Sequence, residues 1–211
     1  MMKSEDEAGK QEQEAAAVQA APPKRASRRG RAAEPSTNGP DPLAGKLERA
    51  EALAAQGNHA DAADAFAAVA AAQPDNLRAL VGLGAALFAQ GRYDPAEKEL
   101  RRAHKLAPDS VEVNFQLGST LFKKGVYPAA ATALRRAVEL DPGHGAAFLV
   151  LGEALNQMAE SDAALEALEE AVRLVPENTR AYYAMGIAYD RKGNHERAGE
   201  MYRLSREGAK T

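Results

Sequence analysis

The sequence predicts an all-α solenoid of helix-turn-helix repeats, and three observations predict it. Pro74, Pro108, Pro142 and Pro176 follow one another at a constant interval of 34 residues. Cutting the chain from Leu43 into 43–76, 77–110, 111–144, 145–178 and 179–211 aligns small and bulky residues into shared columns. Each segment also carries two apolar stretches at helical i, i+3, i+4 spacing, divided in all but the fourth by a glycine. A period of this length belongs to stacked units, none of which buries its apolar face alone.

Residues 1–42 stand outside the array. They contain no Leu, Ile, Phe, Tyr or Trp, and are rich in Ala, Glu, Pro, Gly and Arg. Ordering such a segment costs entropy that burial does not return, so a disordered N-terminal tail is expected. Within it an acidic block (Glu5, Asp6, Glu7, Glu12, Glu14) precedes a basic one (Lys24, Arg25, Arg28, Arg29, Arg31). Ser36-Thr37-Asn38-Gly39-Pro40-Asp41-Pro42 is a breaker cluster that separates tail from array.

In the five repeats, position 8 is Ala50, Gly84, Gly118, Gly152 and Gly186, and position 20 is Ala62, Ala96, Ala130, Ala164 and Ala198. Small residues at both points let the two helices of a unit cross with their backbones close. Position 11 (Leu53, Leu87, Leu121, Leu155, Tyr189) and position 24 (Phe66, Leu100, Leu134, Leu168, Tyr202) supply bulk around the crossing. Position 15 is Gly57, Gly91, Gly125, Ala159 and Gly193, where a left-handed residue should end the first helix. Asp94, Ser161 and Asn194 are expected to cap second helices, which the proline then closes. Lys46 and Arg49 replace apolar residues in repeat 1, and Ser205, Arg206 and Gly208 do so in repeat 5, as expected of polar ends.

On these residues the chain resembles the tetratricopeptide repeat family, whose pattern is Trp-x-x-Leu-Gly-x-x-Tyr followed by Ala, Phe, Ala and Pro. Leu80-x-x-Leu83-Gly84-x-x-Leu87 and Tyr182-x-x-Met185-Gly186-x-x-Tyr189 match it with bulky positions substituted. The resemblance spans residues 43–211. It implies a right-handed superhelix whose inner groove binds a partner's peptide or helix. It further implies that positions 2, 5, 9, 12 and 13 of each first helix line that groove. Carried onto this chain, they are Arg78, Val81, Ala85, Phe88 and Ala89; Glu112, Phe115, Ser119, Phe122 and Lys123; Ala146, Leu149, Glu153, Asn156 and Gln157; and Arg180, Tyr183, Ile187, Asp190 and Arg191. Phe88, Phe115, Phe122, Leu149, Tyr183 and Ile187 would form an apolar strip framed by charge, of the kind that marks a binding surface. Packing between neighbouring first helices is the competing account of the same aromatics. The lysine–asparagine carboxylate clamp of one chaperone-binding subclass fits none of the registers, so no such clamp is expected.

Other constellations point away from chemistry. The chain has no cysteine, which excludes disulfides, thiolate metal sites and a cysteine nucleophile. His59 and His195 share position 17 four repeats apart, too far for a common metal. Gly82-Leu83-Gly84 lies within a helix by register and lacks the third glycine of a phosphate loop. Glu97, Glu99, Glu169 and Glu170 read as solvated outer faces rather than an acid/base pair. With 27 basic and 30 acidic side chains, the net charge of −3 makes no demand for nucleic acid or an anionic membrane. The tail run Lys24–Arg31 lacks aromatics for base stacking, so nucleic-acid or acidic-surface association through it is the secondary expectation. A homo-oligomer through Met201, Tyr202 and Leu204 of the last helix is a third. No signal peptide or membrane span is evident, and a cytoplasmic, non-enzymatic scaffold without cofactor or metal is the expectation.

Overall fold

The computed structural model describes residues 42–208. The acidic and basic blocks of the N-terminal tail lie outside the described residues. Ten helices and no strand occur among the described residues, in five consecutive pairs: α1 Pro42–Ala55 with α2 His59–Ala72, α3 Leu77–Ala89 with α4 Tyr93–Leu106, α5 Val111–Lys123 with α6 Tyr127–Leu140, α7 Gly145–Gln157 with α8 Ser161–Leu174, and α9 Thr179–Arg191 with α10 His195–Gly208.

The helices of each pair cross where the small residues sit. A Cβ built on Gly84 would lie 2.5 Å from Leu100 Cγ; on Gly118, 2.6 Å from Leu134 Cγ; on Gly152, 2.5 Å from Leu168 Cγ. No Cβ fits at that approach without displacing the leucine, so these three positions are glycine because the leucine at position 24 lies on the Cα; repeat 1 carries Ala50 and Phe66 in the same two columns. Gly82 meets the Phe66 ring of the preceding repeat in the same way, which makes it a packing glycine. Around these crossings the alanines at position 20 are fully buried, as are Leu80, Leu100, Leu134 and Leu168. Burial of each such leucine contributes about 2 kcal/mol against exposure.

The turns inside each pair share one backbone solution. Gly57, Gly91, Gly125 and Gly193 have φ of 73–78°, and Ala159 takes φ 60° in the same place. The next amide then donates back across the helix end: Asn58 N to Leu53 O, Arg92 N to Leu87 O, Val126 N to Leu121 O, Glu160 N to Leu155 O and Asn194 N to Tyr189 O, all near 3.0 Å. This left-handed closure satisfies the orphan carbonyls of the first helix.

The expected caps of the second helices require correction. Asn194 does cap, its Oδ1 accepting from Arg197 N at 3.1 Å. Asp94 and Ser161 instead lie within the first turns of α4 and α8, behind Arg92 and Glu160, which make no side-chain cap bond. The recurring side-chain caps belong to the first helices. Asn76, Ser110, His144 and Asn178, all at position 34, accept from the amides of Ala79, Val113, Ala147 and Ala181.

Successive first helices touch one another (α1 with α3, α3 with α5, α5 with α7, α7 with α9), whereas successive second helices do not. The array therefore curves toward its first helices, giving an inner face lined by them and an outer face of splayed second helices. Ion pairs tie neighbouring repeats. Lys124 bonds both Asp94 and Glu97 of the repeat before it, and Lys192 bonds Asp162. The Lys124 ammonium holds the Glu97 carboxyl below the usual carboxylate range. Glu97 and Glu99 are consequently not solvated: their side chains are 16% and 13% exposed, the second paired with Arg102.

Candidate functional site: the inner face

The inner face is built from residues that the first-helix period turns away from the crossing with the second helix. Phe88 lies in the last turn of α3, and Phe115 and Phe122 stand two turns apart on α5. All three are half-buried. Each has one aromatic neighbour: Phe88 meets Tyr93 at 5.5 Å between ring centres, Phe122 meets Tyr127 at 5.8 Å, and Phe115 meets His144 at 4.5 Å. One edge of each ring is thus held by the fold, and the rings line an open cleft of about 360 Å³ with Ser119, Lys123, Val150 and Arg180. A second cleft of about 330 Å³ follows toward the N-terminal end, where Val81, Leu77 and the Phe66 ring meet Glu51, Arg78 and Glu112.

The charged residues of this face divide into two groups. Arg78 grips Glu51 through both carboxylate oxygens at 2.8 and 2.9 Å, and Arg180 grips Glu153 at 2.5 Å through both. Both pairs join position 2 of one repeat to position 9 of the repeat before. Arg180 uses two nitrogens, a fork that fixes geometry as well as charge, whereas Arg78 uses Nη2 alone; both arginines already hold partners within the array. Lys123 and Arg191 are exposed, and no side chain among the described residues pairs with either.

Several residues assigned to the groove by register are placed differently. Leu149 is 8% exposed and belongs to the C-terminal core. Asn156 is 3% exposed, and its Nδ2 donates to Ala184 O at 2.8 Å, joining α7 to α9. Ser119 is 8% exposed, with a buried Oγ that finds no hydrogen-bond partner. Ile187 is half-buried. Tyr183 stands out at 55% exposure, its ring edge against Tyr202 at 5.6 Å. The structure thus gathers Phe88, Phe115, Ser119, Phe122, Lys123 and Arg180 around one cleft and Arg78 and Val81 around another. Leu149 and Asn156 join the packing beneath. Val150 and Gln116 line the first cleft although their register positions did not mark them.

On the last pair, Asp190 accepts from Tyr202 Oη at 2.8 Å and contacts His195 Nδ1 at 3.0 Å. His195 and Tyr202 keep the Asp190 carboxyl low, while burial and Asp190 push the Tyr202 phenol up to about 12. Met201 and Tyr202 pack one side against the C-terminal core and keep part of their surface accessible, as does Leu204. No cluster of metal-ligating side chains occurs among the described residues. No described helix is long and apolar enough to cross a membrane.

Comparison with known proteins agrees with this architecture. Family models of the tetratricopeptide repeat match residues 53–116 and 115–158, and a further TPR repeat model matches 152–193. A crystal structure of MamA is 30% identical over 76% of this chain and 94% of its own, with a TM-score of 0.69. A second MamA structure is 28% identical over 80% and 92%, with a TM-score of 0.71. YrrB, described as a TPR protein with an unusual peptide-binding site, is 23% identical over 77% and 84% (TM-score 0.69), a likeness of fold. Among curated proteins, none matches the chain in sequence. With the period, the crossings and the turns all in place, the chain belongs to the tetratricopeptide repeat family.

Proposed function

We propose that this protein is a non-catalytic scaffold that captures a segment of another protein along its inner face. The observation that carries this reading is the cleft walled by Phe88, Phe115 and Phe122, three rings held on one edge by the fold and open on the other. Apolar side chains of an extended or helical segment would seat among these rings, as in other grooves that read periodic anchors. Lys123 and Arg191, which pair with no side chain among the described residues, would receive carboxylates and set the direction of the segment. Arg78 and Arg180 would act indirectly, by holding Glu51 and Glu153 and so the spacing of the first helices. A preformed cleft limits the entropy lost on association.

The test is affinity capture from the native host with the wild-type chain beside Phe122→Glu and Lys123→Glu. Capture should be lost in the first and weakened in the second, with helicity and melting close to wild type in both. Retention of the same partner by both variants would sink the reading.

A further inference from the structure

A different opening lies on the outer face, and one residue accounts for it. Position 4 is Leu80 in repeat 2, Phe148 in repeat 4 and Tyr182 in repeat 5, but Asn114 in repeat 3. Repeats 3 and 4 share alanines at positions 19 and 23, Ala129 and Ala133 in one, Ala163 and Ala167 in the other. In repeat 4 Phe148 packs into the core beside those alanines. In repeat 3 the shorter side chain leaves a cavity of about 550 Å³ between α4 and α6, floored by Leu117 and Leu121 of α5.

The chemistry of this cavity is one-sided. Arg101, His104, Lys105 and Arg136 stand on its rim, and no carboxylate lines it. Arg101 is held by Glu97, and Arg136 by Asp109 and Glu139. His104 and Lys105 pair with nothing among the described residues. Asn114 itself is 1% exposed; its Nδ2 donates to Pro108 O and Ser110 O at 2.7 and 2.8 Å. Its Oδ1 accepts no hydrogen bond from the described residues and is not sealed from the cavity, as Ser119 Oγ and Asn156 Oδ1 are from solvent, so a donor entering the cavity can reach it.

We propose that this outer cavity is a second docking site, for an acidic segment of a partner protein bearing a single tryptophan. The indole would fill the space that Phe148 fills in repeat 4, packing on Leu117, Leu121 and the two alanines. Its N–H would supply the donor that Asn114 Oδ1 lacks, which aliphatic and phenylalanine anchors could not. Flanking carboxylates would meet Lys105 and His104. Because the mouth opens between second helices, the site is independent of the inner face and could be occupied together with it.

The experiment exploits the absence of tryptophan from this chain. The blocked peptide Glu-Asp-Trp-Asp-Glu is titrated with the full chain while its indole emission is followed. Emission should shift to the blue with wild-type protein. The shift should vanish with Asn114→Phe, which installs the residue type of repeat 4 and should keep the helical signal of a folded array at the temperature of the titration. Lys105→Glu, at an exposed position, should weaken the interaction by roughly tenfold through charge reversal at the rim. The basic peptide Lys-Arg-Trp-Arg-Lys should give no shift. An unchanged shift with Asn114→Phe or Lys105→Glu, an equal response to the basic peptide, or no response in the wild type would overturn the proposal. Loss of the shift in Phe122→Glu but not in Asn114→Phe would move the peptide to the inner face, overturning this site while leaving that one standing.

Discussion

Repeats 3 and 4 share one scaffold and differ in what they leave open. Both cross their helices at a glycine under a leucine, Gly118 beneath Leu134 and Gly152 beneath Leu168. Both close the inner turn through a left-handed residue, Gly125 in one and Ala159 in the other, and the same backward amide bond. Repeat 4 then fills its variable positions with self-contact: Phe148 closes the outer face, Leu149 joins the core, and Asn156 reaches α9. Repeat 3 places Asn114 outside and Ser119 and Phe122 inside, and both faces carry a cavity. Stability in this array therefore resides in the columns common to all repeats, whereas the openings on either face arise at variable positions that a repeat either closes or leaves open.

The sharpest way to break that comparison is to remove the polar side chain from equivalent depths of the two repeats. Asn156→Ala deletes a buried amide bond to the neighbouring repeat and should cost about 2 kcal/mol in urea unfolding. Ser119→Ala deletes a hydroxyl that bonds nothing and should fall within about 0.5 kcal/mol of wild type. Equal losses would mean that repeat 3 is no less committed to its own packing than repeat 4.

A smaller effect tests the shared turn. Ala159 adopts φ 60° where the other repeats have glycine, and a Cβ in that region costs about 1 kcal/mol. Ala159→Gly should stabilise the array by about that amount and Gly125→Ala should destabilise it similarly, both read from the shift in melting temperature. Opposite signs at the two sites would confirm one turn geometry. The same sign at both would refute it.

The smallest effect concerns the last pair, where the scaffold is thinnest. The Tyr202 phenol is pushed up to about 12 from an ordinary value of 10.0. The folded state then holds this proton more tightly than the unfolded chain does. Its contribution is complete below pH 10 and is lost as pH rises through 12. Absorbance of tyrosinate should reveal one late-titrating phenol among the six tyrosines, absent in Tyr202→Phe. Helical signal in the wild type should decline across the same window.

Much of this was readable in one dimension. The proline interval is a spacing in the sequence itself, and the small-against-bulky crossings and the left-handed turns are contacts within one repeat, so five copies expose them as columns. The side-chain caps at position 34 were equally readable, since Asn76, Ser110, His144 and Asn178 form a column of acceptors just before each first helix. At the second helices Asp94 and Ser161 have the chemistry of caps but lie inside the first turns of α4 and α8. There the backward amide bonds of the turn already organise the helix start. The inner-face register found Phe88, Phe115, Phe122 and Lys123 but took Leu149 and Asn156 with them. It had no means of knowing that Arg78 and Arg180 were already engaged.

From its own pattern, then, the chain determined the repeat, its two helices, their crossing and the turn between them. Those are local contacts, and steric exclusion at a glycine or a positive φ is decided within a few residues. Tertiary structure alone decided which variable side chains stay accessible, which are buried and which are neutralised. That outcome depends on how far each repeat rotates against the next. The rotation brings first helices together, holds second helices apart and sets residues 27 apart, such as Glu153 and Arg180, within bonding distance. It is a property of the interface between repeats, summed over the side chains of both, and no single column of the alignment contains it.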